Sequence, residues 1–182
     1  MPEVLPTKLD GVVRLAPTVH GDERGFMLES FSRKDWVAAG VDCEFVQQNH
    51  SRSCQGTLRA IHFQTDPGQA KLVRCARGAV FDVAVDLRRH SPTYGQWEGY
   101  VLDDAKHHQL FIPVGFGHGF AVLSEEADFT YLVSSYYDPA TEAGIRWDDP
   151  DVGVEWPVDK PLLSERDKTA PTLSEIADTL PF

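Results

Sequence analysis

Short runs rich in β-branched and aromatic residues, each closed by a turn cluster, dominate the middle of the chain. Lys71–Arg77, Ala79–Leu87, Trp97–Leu102, Gln109–Pro113, Gly119–Leu123 and Phe129–Tyr137 have this character and read as strands. Leu58–Gln64 reads as a further, buried strand. Arg77-Gly78, His90-Ser91-Pro92, Asp103-Asp104, Pro113 to Gly117 and Asp138-Pro139 separate the runs. Turns at this spacing, about every 8–12 residues, predict an all-β sandwich or barrel. One helix interrupts the pattern early: Ser32 serves as N-cap, Asp35 follows three residues on, and Gly40 ends it. Ser174–Thr179 is a second, short helix near the end. Within Ala79–Leu87, Phe81, Val83, Val85 and Leu87 share one face, and Val80, Asp82, Ala84 and Asp86 the other. Two carboxylates on so apolar a strand need partners or water, and Arg88 or Arg89 is the near partner for Asp86.

Composition narrows the class. A chain of 182 residues suits one domain, residues 1–182, with a core that needs no staples. Three cysteines, Cys43, Cys54 and Cys75, form no CxxC pair, and their odd number argues against a disulfide framework. The N-terminus lacks a basic start followed by an apolar core, and no apolar run is long enough to span a bilayer. The expectation is a cytoplasmic protein without a membrane partner. The net charge is −11, yet residues 1–100 hold 12 basic and 12 acidic side chains and residues 101–182 hold 5 and 16. A locally positive middle thus sits inside an acidic chain. No basic stripe continues along it, which speaks against nucleic acid but leaves room for a small anionic ligand.

Candidate chemistry gathers around a few residues. His62 lies on the Leu58–Gln64 strand, and Lys71 follows nine residues later across the Asp66-Pro67-Gly68 turn. A strand histidine is more often structural. Beside a fixed cation, however, an imidazole suits removal of a proton next to a carbonyl, with the cation stabilising the enolate oxygen. His118 stands in Pro113-Val114-Gly115-Phe116-Gly117-His118-Gly119-Phe120, a glycine pattern that precedes a strand and so reads as a tight turn with glycines at positive φ. A metal site built on an HxH pair lacks its second ligand here, because Phe63 and Gln64 follow His62. His107 and His108 would point to opposite faces. Tyr131 and Tyr137 are six apart, on one face if the strand is regular, where packing and proton donation are both open readings.

Taken in order, these segments resemble the dTDP-4-dehydrorhamnose 3,5-epimerase family. The resemblance rests on Asp22-Glu23-Arg24-Gly25-Phe26 with Glu29, Gln47-Gln48-Asn49-His50-Ser51, Leu58-Arg59-Ala60-Ile61-His62-Phe63-Gln64 and Lys71-Leu72-Val73-Arg74. It continues through Val80–Arg88, Ser91-Pro92-Thr93-Tyr94-Gly95, Ile112-Pro113 with Gly117-His118-Gly119-Phe120, Tyr131 and Tyr137 with Glu142, and Leu163-Ser164-Glu165-Arg166-Asp167. The resemblance implies a mainly β, jelly-roll (cupin-like) barrel with a few short helices, acting as a homodimer without metal or dissociable cofactor. Residues 1–45 or so would contribute to the dimer interface. The implied reaction is epimerisation of dTDP-4-dehydro-6-deoxy-D-glucose at C3 and C5. In it His62 would be the base, Asp167 its orienting carboxylate, Lys71 the enolate stabiliser and Tyr131 the proton donor on the opposite face. Tyr137 would stack on the thymine, and Arg24, Glu29, Gln47, Asn49, Arg59, His118, Glu142 and Arg166 would hold nucleotide and sugar. Asp82 would support His118 or the pocket wall.

Three departures from the family pattern stand out: Ala60 where glycine is usual, Gln48 where aspartate is common, and Arg166 for lysine. They leave open a single-site epimerase or a 3,4-ketoisomerase on the same class of sugar, while loss of catalytic groups, the mark of a silent sugar-binding barrel, is not seen. One conflict needs a structural answer. Arg59 and His62 have opposite strand parity, so bringing both to one pocket requires a bulge or an arginine reaching round the rim.

Overall fold

The computed structural model describes residues 1–182. Its elements in chain order are β1 (Glu3–Leu5), β2 (Val13–Ala16), β3 (Val19–Asp22), β4 (Gly25–Leu28), α1 (Arg33–Ala38), β5 (Gln47–Cys54), β6 (Leu58–Gln64) and β7 (Lys71–Arg77). They continue with β8 (Ala79–Asp86), β9 (Trp97–Asp103), β10 (Gln109–Ile112), β11 (Phe116–Val122), β12 (Glu126–Val133), β13 (Glu142–Gly144), α2 (Glu165–Lys168) and α3 (Leu173–Ile176). Six strands form one sheet in the order β1-β2-β10-β7-β12-β5, and five form a second in the order β13-β6-β11-β8-β9. The named strand pairs are antiparallel. Their crossovers give the jelly-roll expected from the sequence, as two sheets rather than one closed cylinder. Strands β3 and β4 pair only with each other, as a separate hairpin.

Alternation along each strand decides what lies between the sheets. Val73, Cys75, Leu110, Ile112 and Phe129 of the larger sheet meet Val80, Ala84, Leu102, Phe116, Phe120 and Val122 of the smaller. Each large side chain so buried contributes about 1.5–3 kcal/mol. The other face of β8, with Val83 and Val85, and Leu87 just beyond the strand are also covered, by Ile145, Val152, Leu173 and Leu180 of the C-terminal segment. Trp36 of α1 packs with Leu15, Leu72 and Phe111 on the outer face of the larger sheet. Gly40, at φ +94°, then turns the chain out of that helix. Ser32 precedes the helix in extended conformation but makes no capping bond.

Several boundaries differ from the sequence expectation. Strand β11 begins at Phe116, not Gly119, so His118 is a mid-strand residue rather than part of a tight turn. Gly115 does take positive φ (+91°), whereas Gly117 and Gly119 do not. Gly119 is required for closeness instead: a Cβ there would stand 2.5 Å from that of Ala60 and 2.9 Å from the Arg59 carbonyl oxygen. Strand β12 ends at Val133, which leaves Tyr137 on the following loop, out of register with Tyr131. Strand β5, Gln-Gln-Asn-His-Ser-Arg-Ser-Cys, carries no hydrophobic alternation and was not expected from the pattern. The C-terminal helix, expected at Ser174–Thr179, is α3 followed by a 3-10 turn at Ala177–Thr179, and Thr172 and Glu175 cap it reciprocally.

Candidate active site

The conflict of parity on β6 is resolved by a bulge. His62 pairs with His118 across the β6–β11 ladder, but Arg59 pairs with Phe120, so three steps on one strand match two on the other. The extra residue rotates the strand between them, and Arg59 and His62 both face one cleft. Asn49, Ser51, Lys71 and Tyr131 of the larger sheet and Arg59, His62, Gln64 and His118 of the smaller line it. The inner cavity is about 160 Å³. It shares Arg59, His62, Tyr131 and Glu142 with an outer cavity of about 490 Å³ whose wall includes Ser164, Arg166 and Asp167. Phe120, stacked on Phe129 with ring centroids 4.1 Å apart, forms part of the inner wall.

His62 Nε2 lies 2.6 Å from Asp167 Oδ1. Asp167 is 3% exposed and sits in α2, where its backbone N–H donates to Ser164 Oγ at 3.1 Å. Burial would raise the Asp167 carboxyl, but the bonds from His62 and Ser164 and the charges of His62 and Arg166 hold it below its ordinary value. This is the arrangement that fixes an imidazole's orientation and stabilises its charged form.

His118 Nε2 lies 2.9 Å from Asp82 Oδ2, and both side chains are buried. Burial lowers the His118 pKa and raises that of Asp82, each against the attraction of the other. Asp86 is likewise buried, and it binds Arg88 (2.8–2.9 Å) and the hydroxyls of Ser91 and Thr93. The ion pair expected for Asp86 is thus present, inside the turn after β8.

Lys71 is buried at the start of β7, and its Nζ donates to the His62 carbonyl oxygen at 3.4 Å. Burial brings its ammonium down to about 8, against the attraction of Asp82 and Glu142. Neither Lys71 nor Arg59, which donates to Ser53 Oγ at 3.1 and 3.3 Å, has a carboxylate within ion-pair distance. Two cations without counter-ions therefore face the cleft of a chain with net charge −11. Arg166, by contrast, is 2.5 Å from Glu142. Glu142 also accepts from the Tyr137 hydroxyl at 2.8 Å.

Tyr131, on the sheet facing His62, is partly buried. Burial raises its pKa against a bond with Asn49, so the phenol keeps its proton at neutral pH. Gln47 stands behind this wall, donating to Asn49 Oδ1 at 2.9 Å and accepting from the Tyr137 backbone N–H at 3.2 Å.

The fold thus gathers His62, Lys71, Tyr131, Asp167, Asn49, Arg59, His118, Tyr137, Glu142 and Arg166 around one cleft, with Gln47 as a brace. It does not bring Arg24 or Glu29 there. Arg24 sits at the tip of the β3–β4 hairpin, 86% exposed and paired with Asp22, and Glu29 is exposed just beyond it. Their separation follows from the hairpin's having no strand partner in either sheet. Among the lining residues, Ser51, Gln64, Gln69 and Phe120 were not singled out from the sequence. Gln64 shares strand parity with His62, and that alternation is the signal that could have found it. No three His, Cys, Asp or Glu side chains stand together as a metal-ligand group.

Residues 6–175 match the family described as dTDP-4-dehydrorhamnose 3,5-epimerase. The dTDP-4-dehydrorhamnose 3,5-epimerase of Shigella flexneri is 51% identical over 166 residues, 90% of this chain and 92% of that protein. The dTDP-4-dehydrorhamnose 3-epimerase of Streptomyces niveus is 46% identical over 175 residues, 95% of this chain and 84% of that protein. A crystal structure of the dTDP-6-deoxy-D-glucose-3,5-epimerase from Legionella pneumophila Philadelphia 1, in complex with dTDP-4-keto-L-rhamnose, superposes with a TM-score of 0.96 at 43% identity. It covers 100% of this chain and 98% of that one. With its bulged histidine strand, its buried lysine and a match over nearly its whole length, the chain belongs to the dTDP-4-dehydrorhamnose 3,5-epimerase family.

Proposed function

We propose that this chain epimerises dTDP-4-dehydro-6-deoxy-D-glucose at C3 and C5, giving dTDP-4-dehydro-L-rhamnose. The observation that carries this reading is a carboxylate-braced imidazole and a phenol on facing sheets around one cleft, with a buried ammonium that has no counter-ion beside them. The carbons flanking the C4 ketone bear acidified protons. His62 takes one of them, and the electron pair of the C–H bond moves into the enolate. Asp167 stabilises the imidazolium that forms. Lys71 stabilises the enolate oxygen, a role for which a buried donor is far more effective than one in water. Tyr131 then delivers its proton to the same carbon from the opposite face, and the configuration inverts. Both groups reset by exchanging protons with water, and the second carbon repeats the cycle. Arg59, Arg166 and His118 bind the anionic and hydroxyl groups of the nucleotide sugar, while Asn49, Glu142 and the Tyr137 ring hold its outer part.

Inversion at one carbon only is the second reading, favoured by the 46% identity to a relative named as a 3-epimerase. A 3,4-ketoisomerase fits less well: its proton shuttle calls for a second histidine beside the base, and His118 is held by Asp82 inside the wall. The active form in this reading is a homodimer. Its support is the β3–β4 hairpin, which leaves Arg24 outside its own cleft and exposes Phe26 and Met27 at 58% and 71%.

Incubation with dTDP-4-dehydro-6-deoxy-D-glucose in deuterated water tests the reaction. Deuterium at both C3 and C5 is expected, and label at one carbon only would establish the single-site reading. His62→Ala should slow incorporation at both positions by about two to four orders of magnitude. Near-normal exchange in that variant would mean the base is another residue.

A further inference from the structure

We infer that Gln64 binds a ring hydroxyl of the hexose and thereby positions the sugar over His62. This rests on the proposed nucleotide-sugar reaction and adds a residue to it. Gln64 is 3% exposed and lines the inner cavity, yet neither its amide nitrogen nor its amide oxygen has a hydrogen-bond partner. A buried carboxamide presents two donors and an acceptor, and buried polar groups are as a rule satisfied. The other carboxamides around the cleft follow that rule. Gln47 donates to Asn49 and accepts from the Tyr137 backbone, and Gln69 donates to the Ser135 carbonyl at 3.0 Å. Gln64 alone among them keeps its whole amide free. Desolvating that amide disfavours the empty protein and returns free energy only when a ligand fills the cavity.

The chemistry of the amide selects the ligand group. It donates and accepts at once, which matches a hydroxyl. A phosphate oxygen can only accept, so the Gln64 carbonyl would stay unpaired against a diphosphate, and Arg59 and Lys71 already supply free positive charge for anions. Position agrees with this. Gln64 follows His62 by two residues on the same face of β6, so their side chains stand about 7 Å apart along the strand. A hexose ring bridging them presents one carbon to the base and a hydroxyl to the amide. The facing wall carries a second unpartnered polar atom, Ser51 Oγ, which completes a polar lining on both sides of the sugar.

Gln64→Leu tests the assignment, because it keeps much of the volume and removes only the amide. Calorimetry with dTDP-glucose and with dTDP separates sugar from nucleotide, and solvent deuterium exchange reports turnover. We expect a loss of about tenfold or more in dTDP-glucose affinity and in kcat/KM. Affinity for dTDP should stay within about twofold, and the melting temperature should be unchanged or raised, since the free protein loses no bond. Unchanged dTDP-glucose affinity, or a parallel loss for dTDP, would overturn the assignment. So would collapse of both Gln64→Leu and Gln64→Met, which would show that the amide serves the empty fold. A wild-type protein that binds dTDP-glucose but incorporates no deuterium would strike the epimerase reading instead, and the affinity ratio would still decide the role of Gln64.

Discussion

Lys71 shows at the residue scale how function is set against stability. Its ammonium is buried and its pKa is brought down to about 8. Below pH 8 the folded state holds a proton that the unfolded chain would keep up to about 10.5. That difference costs the fold about 3 kcal/mol. The cost declines as pH rises from 8 to 10.5, where the folded protein has released the proton and the unfolded chain has not. Lys71→Met should therefore melt no lower than wild type at pH 7, and gain up to about 3 kcal/mol. Denaturation midpoints measured across that interval should converge. The same variant should lose about 10²–10³ in kcat, the usual effect of removing one donor to a developing oxyanion. A marked loss of stability at pH 7 would show that the ammonium helps to hold the fold. His62 and Lys71 were both legible as a base and a cation near one turn. For Asp82, strand parity left a buried partner or solvent open, whereas the family resemblance implied support for His118 or the pocket wall, and the 2.9 Å contact with His118 agrees with that.

Among the elements, α2 illustrates a small unit with a specific task. It has four residues, and the Ser164 hydroxyl caps it by accepting the Asp167 N–H. That single bond places the carboxylate behind His62. Ser164→Ala should cost about 1 kcal/mol of stability, as lost N-caps do, and lower kcat by about tenfold as Asp167 loosens. Unchanged kcat with reduced stability would separate the cap from the catalytic brace. Apolar strands were the legible elements: β7 runs Lys71–Arg77 as the pattern predicts, and β8, β9 and β10 agree to within one residue at either end. Strand β5 was not legible, since one face lines a polar cleft and the other is exposed, so neither face is apolar. The glycines of β11 read as turn signals, but Gly119 is there because β6 passes too close for a Cβ.

For the whole molecule, the β3–β4 hairpin bears on assembly. Arg24 and Glu29, which the resemblance implies hold the substrate, lie outside the cleft of their own chain, on and just beyond a hairpin with exposed Phe26 and Met27. If the hairpin completes a partner's cleft, Arg24→Ala and His62→Ala should complement each other. Each variant alone should be inactive. After the two are unfolded, mixed in equal amounts and refolded, half the dimers are mixed, and one site of each is intact, so activity should recover to about a quarter of wild type. No recovery would place Arg24 in its own chain's site, and an active Arg24→Ala variant would place it outside the reaction. The net charge of −11 bears little on any of this, because Arg59 and Lys71 line the cleft without a carboxylate at ion-pair distance while most of the acidic excess lies beyond residue 100.

Strand periodicity and turn chemistry were enough to establish an all-β sandwich or barrel, and the order of the short motifs established the family and, through that resemblance, the jelly-roll, because these properties are local and lie along the chain. The convergence of β6, β7, β12 and α2 on one cleft was a matter of folding. So were the bulge that turns Arg59 and His62 to the same side, the pairing of Asp82 with His118 and the unpaired amide of Gln64. Each depends on which strand lies opposite which, at what register and how deeply buried, and these are relations between residues far apart in the chain.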